Sequence, residues 1–319
     1  MSLDFLKKDE LVVVVSEEDE YADDAEPAGA DALLTRDFMC SPIEGSEVQR
    51  MLDRPGQGAS PSMFAGRHMA CSLKVEAAPS GTIGVPPAFS SILLCSQMAE
   101  TIVEDIEEDP VEVHYEYVSR LLSSASLYAN YDGVLFRLLG MRGAIGMEFE
   151  GGGIPYFTFN GMALLTLPED VAMIEDADYS GFKLPELAEA DTTQEVSIGD
   201  ADFVLRNWQL QPPQNVAFRD LPGQKEVVIA GNRNLRSRLE VMAPRLDGFD
   251  PFAMKEAMTL APFTLLHGSA AGKQWSFEGA LTQIVGVAFG EHQGERTLQL
   301  ELLHTSSPAG DDDGVWKFI

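Results

Sequence analysis

The sequence predicts a mainly β protein made of two tandem β-sandwich or barrel modules, each with one short α-helix. Three observations predict it. Apolar residues alternate with polar ones over short runs, turn signals punctuate those runs, and the order of runs and turns in the first half recurs in the second. A length of 319 residues suits two ordinary modules, and a hydrophobic content of 45% is that of a packed chain rather than a disordered one.

Residues 1–31 form a strongly acidic N-terminal arm, with Glu17-Glu18-Asp19-Glu20 and Asp23-Asp24. The arm is expected either to be solvated or to order against a neighbouring subunit. The apolar run Leu11 to Val15 inside it is too short for a membrane span or a signal segment. It reads as a β-strand or a clamp onto a neighbour.

A first module is expected over 32–166. Leu73, Val75 and Ala77 alternate with Ser72, Lys74 and Glu76, as in a half-buried strand. From Pro87 to Glu100 the residues Phe89, Ile92, Leu93 and Ser96 fall at helical spacing, with a proline near the start. Tyr131-Asp132-Gly133 opens a hairpin, and Gly151-Gly152-Gly153 leads into the strand Tyr156 to Phe159. The acidic stretch 167–202, with Pro168 and Pro185, reads as a linker.

The second module is expected over 203–319. Glu226 to Ala230 reads as a strand, and Leu298, Leu300 and Leu302 alternate with Gln299 and Glu301. Asp250 is a plausible N-cap for a helix to Met258, with Pro251 at its first position.

The repeat rests on order. Ala32 to Asp37, Arg54-Pro55, Gly66-Arg67, the strand ending at Pro79 and the helix at Pro87 match Phe203 to Asn207, Leu221-Pro222, Asn232-Arg233, the strand ending at Pro244 and the helix at Pro251. The hairpin at Asp132-Gly133 matches Ala271-Gly272, and Phe157 to Phe159 match Leu298 to Leu300. The offset is 165 residues from Pro79 to Pro244 but 139 from Gly133 to Gly272, which leaves 26 extra residues in the first copy. The acidic stretch Glu104 to Glu116 is the natural place for them. A tandem duplication accounts for this order; chance similarity between two β-rich halves is the competing reading, because short alternating strands are common.

Charge narrows the function. Asp and Glu number 51 against 22 Lys and Arg, for a formal charge of −29. Such a surface repels nucleic-acid phosphates and anionic membranes, so specific DNA binding is not expected, although DNA could pass it without sticking. The three cysteines, Cys40, Cys71 and Cys95, fit no zinc spacing and read as buried thiols of a reducing compartment.

Catalytic motifs are weak. Gly268 to Gln274 resembles a phosphate loop, but it is one residue short, has Gln274 where Ser or Thr would hold magnesium, and joins apparent strands, so a hairpin turn is the better reading. Asp311-Asp312-Asp313-Gly314 lacks the alternating ligands and distal Glu of a calcium loop and reads as a charged surface turn before a last strand, Val315 to Phe318. His68, His114, His267, His292 and His304 show no metal spacing. Trp208, Trp275 and Trp316 are dispersed, unlike the clustered aromatics of a carbohydrate-binding module. No catalytic, cofactor or metal residues are therefore assigned, and a structural role is expected over a cytoplasmic β-rich enzyme or binding module.

From about Tyr21 onward a series of segments recurs in a familiar order: Tyr21 to Leu34, Pro42-Ile43-Glu44-Gly45 with Arg50, Arg54-Pro55, the hairpin Tyr131 to Gly143, Gly153 to Gly161, Asp250-Pro251-Phe252, Leu266 to Gly272 and Ser307 to Asp312. In that order and kind the chain resembles the major tail tube proteins of long-tailed, siphovirus-type phages and prophages. The resemblance implies a virion structural protein, assembled in the host cytoplasm, that builds stacked rings around a lumen for DNA. A duplicated chain would make a trimeric ring of pseudo-sixfold symmetry; a hexamer of whole chains is the other possibility. The expected partners are other copies of the chain, a tape measure protein and a tail terminator, with neither cofactor nor membrane. A tail-terminator or tail-end ring protein is the related alternative.

Overall fold

Alternation of apolar and polar residues builds nearly all of this structure out of strands. The computed structural model describes residues 6–7, 10–53, 55, 58–105 and 110–319. The first half contains β1 (Leu11–Glu17), β2 (Arg36–Val48), β3 (Met63–Glu76), helix α1 (Ser90–Leu94), β4 (Met98–Glu104), β5 (Pro110–Tyr117), β6 (Ala125–Tyr131), β7 (Val134–Glu150), β8 (Tyr156–Leu164) and β9 (Glu169–Asp170). The second contains β10 (Thr193–Ile198), β11 (Ala201–Asp202), β12 (Leu205–Gln211), β13 (Val216–Leu221), β14 (Gln224–Ile229), β15 (Arg236–Met242), helix α2 (Pro251–Glu256), β16 (Leu260–His267), β17 (Trp275–His292), β18 (Glu295–Thr305) and β19 (Val315–Phe318). The mainly β class is as the sequence predicts.

The halves share one strand order. In the first, β2, β3, β8 and β7 are neighbours in that sequence. In the second, β12, β15, β18 and β17 follow the same order. The long strands β7 and β17 each begin in a hairpin, with β6 and with β16. β1 lies on β6 as β10 lies on β16. β9 lies on β7 as β19 lies on β17. Residue rows agree as well: Leu73 faces Phe159, which faces Ile145, and Leu239 faces Leu300, which faces Val287.

The first half carries the β4–β5 hairpin between α1 and β6, whereas α2 leads directly to β16. This lies where the extra residues were expected, although 106–109 of that stretch, and Arg54 of the repeated Arg-Pro step, lie outside the described residues. β5 pairs with β19, so the hairpin extends the run of strands β10, β16, β17 and β19 in the second half. The core between the layers is aromatic. Trp208, Trp275 and Trp316, far apart in sequence, are all buried, with Trp208–Phe277 centroids 5.3 Å and Phe157–Trp316 centroids 4.8 Å apart.

Several expectations need correction. Residues 11–17 are not a solvated arm: β1 pairs with β6 of the same chain, and Val13, Val14 and Val15 are buried. Their burial draws the acidic flank inward. Glu18 is buried as well, accepting hydrogen bonds from Ser124 Oγ at 2.6 Å, Ser126 Oγ at 2.8 Å and the Gly140 amide at 2.7 Å. The stretch 167–202 is not only a linker, because β10 buries Val196 and Ile198 against β16, so the second set of strands begins before residue 203.

The helix expected from Pro87 to Glu100 spans only Ser90–Leu94, and Met98 to Glu100 belong to β4. Its apolar face is as predicted, with Phe89, Ile92 and Leu93 fully buried. Gln97, at φ 67°, turns the chain out of the helix and into the strand that completes the added hairpin. Finally, Asp311 to Asp313 is not merely a surface turn. Asp313 is buried and, with Asp311, holds the Arg233 guanidinium at 2.9 and 2.8 Å. The second helix starts as expected, with the Asp250 side chain accepting from the Phe252 and Ala253 amides and Pro251 opening the helix, but it ends at Glu256, short of Met258, which turns the chain at φ 53°.

Candidate functional site

The feature that stands out is a sheet with two open ends. The C-terminal part of β7 pairs with β8 on one side and with β12 on the other, through Met147–Leu210, Glu148–Gln209, Phe149–Trp208 and Glu150–Asn207. This seam fuses the two four-stranded sets into one antiparallel sheet that runs β2, β3, β8, β7, β12, β15, β18, β17. At one end β2 pairs, among the described residues, only with β3. At the other end β17 pairs with β18 as far as His292, but β16 covers its second side only as far as Gln283. Backbone groups along such edges can accept another strand.

Exposed apolar residues gather at these ends. Met39 on β2 is 66% exposed and Phe289 on β17 is 51% exposed. Met39, Ile43, Val48, Met63 and Phe64 make the outer β2–β3 hairpin apolar for a surface element.

One face of the sheet packs into the core through Leu73, Phe159, Ile145, Trp208, Leu239 and Leu300. The opposite face is polar, and the basic residues on it are paired locally. Lys74 Nζ lies 2.7 Å from Glu148, Arg206 2.7 Å from Glu240, and Arg238 3.7 Å from Glu301. Arg36 donates to Tyr156 Oη at 2.6 Å, and Arg236 to Asn234 at 3.1 Å. Burial alone would raise the Glu240 carboxyl, but hydrogen bonds from Thr297, Arg206, Gln299 and Asn207 outweigh it and hold it down at about 2.

The catalytic candidates separate clearly. Gly268 to Gln274 is a loop between β16 and β17, as the hairpin reading expected, and Ser269 there donates to Glu186 through its amide and its hydroxyl, each at 2.7 Å. His267 and His304 are buried; His68, His114 and His292 are not. Ser237 Oγ lies 2.8 Å from His304 Nε2, and His304 Nδ1 lies 2.9 Å from Thr282 Oγ1. This looks like a nucleophile–base pair, but Ser237, Thr282 and His304 are each at most 3% exposed, and a hydroxyl rather than a carboxylate orients the ring. Burial depresses the His304 imidazole to about 3, so it stays neutral. A cleft of about 920 Å³ is lined by His304 and Arg233 but by neither hydroxyl. Arg233 is itself occupied by Asp311 and Asp313. Among the described residues no group of three or more His, Cys, Asp or Glu side chains converges in a way that could hold a metal ion.

Sequence reasoning missed the seam, the two open edges and the buried carboxylates Glu18, Glu240 and Asp313. No local pattern marks them, because each depends on a partner remote in sequence. Known proteins add no guide to the family: neither the models of protein families nor the curated proteins include a match to this chain.

Proposed function

We propose that this chain is a self-assembling structural subunit, without catalytic activity, whose rings stack into a hollow tube of the phage tail type. The observation that carries the reading is the seam between β7 and β12. It joins two four-stranded sets of the same order, and the step that carries the first set onto the second can be repeated. The next β2 would then lie on the edge of β17 that β16 leaves unpaired beyond Gln283, beside the Phe252 ring of α2, 5.9 Å from that of Phe289, as β12 lies on β7.

The strand correspondence sets the register. Leu210 faces Met147 at the seam; Cys40 takes the place of Leu210 on β2, and Phe289 that of Met147 on β17. Cys40 of one chain would therefore face Phe289 of the next. Such a contact is head-to-tail, and closing it gives a ring. Tandem duplication of one module makes a trimer of pseudo-sixfold symmetry the favoured ring, with a hexamer of whole chains as the alternative.

Closure would turn the polar face inward. Its lysine and arginines are held by carboxylates and hydrogen bonds, so phosphates sliding past meet little unpaired positive charge. The setting we propose is the virion tail, assembled in the host cytoplasm, with a tape measure protein and a terminator as further partners. Sedimentation velocity over a concentration series tests the reading: species should grow from single chains to long polymers. A single closed ring at every concentration would favour the terminator reading, and single chains throughout would contradict both.

A further inference from the structure

We propose that Cys40 and Cys71 form a site of reversible disulfide formation, a covalent clasp between β2 and β3. The two are direct partners in the antiparallel register, in a continuous stretch with Met39–Ser72 and Ser41–Ala70 on either side. Directly opposed residues of such a pair project to one face with Cα atoms about 4.5 to 5.5 Å apart. Disulfides span Cα separations of about 4.4 to 6.8 Å, so no strand has to move. Cys71 belongs to the buried core, Cys40 packs against that core, and both are free thiols. The third cysteine, Cys95, is buried at the end of α1, where its thiol donates to the Ile92 carbonyl at 3.4 Å.

Burial is the ordinary state of a free cysteine. What sets this pair apart is that two of only three cysteines in 319 residues stand opposite one another, one of them half-buried. The half-buried member gives an oxidant its entry. A small disulfide such as oxidised glutathione is attacked by the Cys40 thiolate, which forms a mixed disulfide and releases one glutathione thiolate. Cys71 then loses its proton and attacks Cys40 Sγ, forming the intrachain bond and releasing the second thiolate. Two protein thiols are oxidised, one small disulfide is reduced to two thiols, and the protein's protons pass to solvent.

Burial pushes the Cys40 thiol up to about 11 and the Cys71 thiol higher still. Exchange is therefore slow at neutral pH and quickens about tenfold per pH unit in the alkaline direction. The bond would close the chain between β2 and β3 into a covalent loop and fix the edge strand in place. This inference does not depend on assembly.

The test uses purified protein, at a concentration where it is a single chain, incubated with oxidised glutathione at pH 9 and with a matched reduced control. Thiols are counted after quenching in denaturant, and disulfides are mapped by non-reducing peptide mass spectrometry. The expected result is a fall from three free thiols to one, a Cys40–Cys71 linked peptide, and the same linkage in Cys95→Ser. Three thiols remaining, a bond involving Cys95, or a bond between chains would each overturn the proposal. Because the decisive measurement is on the unaltered chain, it does not rely on any variant folding.

Discussion

Trp208 of β12 stands directly opposite Phe149 of β7, and through that pairing the two halves of the chain share one sheet. Trp208 also lies 5.3 Å from Phe277 and 6.0 Å from Trp316, ring centre to ring centre, so the seam is anchored in the common aromatic core. The halves are therefore expected to unfold together. Trp208→Ala should lower stability by about 3 to 5 kcal/mol, the usual loss when a buried aromatic is truncated. Urea unfolding followed by circular dichroism should still give one transition; two separated transitions would mean that the halves are independent.

The register proposed for the ring can be trapped covalently. Phe289→Cys in a Cys71→Ala background leaves Cys40 without its partner on β3 and puts a thiol opposite it on the neighbouring chain. Mild oxidation should give covalent oligomers on a non-reducing gel, ending at the ring size, while Cys71→Ala alone gives none. Only single chains from the double variant would place the contact elsewhere.

Acid should destabilise the protein in two stages. His304 is neutral in the fold down to about pH 3, whereas the unfolded chain takes up that proton below about 6.5. The unfolded state then binds more protons, so stability falls as pH drops from 6.5 toward 3, by on the order of 4 kcal/mol from this residue. Glu240, held at about 2 against 4.5, adds a loss of the same sign between pH 4.5 and 2. His304→Gln should be less stable at pH 7.5 but should show a shallower loss between pH 6.5 and 5. Denaturant midpoints across that range would reveal an unchanged slope if His304 is not the titrating group.

Arg233 bridges Asp311 and Asp313 while donating to the Val118 carbonyl at 3.2 Å, which ties the chain after β14 to the turn before β19. Arg233→Met leaves a buried carboxylate without its cation and should lower stability by about 3 to 5 kcal/mol. The double variant Arg233→Met with Asp313→Leu should recover part of that loss, as measured by urea unfolding.

How much of this was legible in the sequence depended on the range of the interaction. The strands around Leu73 and Leu300 were readable because one buried face imposes a period of two. The α2 start was readable because Asp250 caps amides only two and three residues ahead. β10 was hidden, because Val196 and Ile198 give only two apolar positions; the run Leu11 to Val15 was readable as a strand, but its partner β6, more than a hundred residues away, was not. The burial of Glu18 requires Ser124, Ser126 and Gly140, more than a hundred residues away. The open edges of β2 and β17 are properties of the assembled sheet and have no local signature at all.

Negative-stain electron microscopy of the purified protein over a concentration series would show assembly itself. Rings of uniform width with an open centre are expected, stacking into hollow tubes as concentration rises, with threefold or sixfold symmetry in end views. Monodisperse single particles at the highest concentration, with neither rings nor tubes, would rule out the proposed assembly.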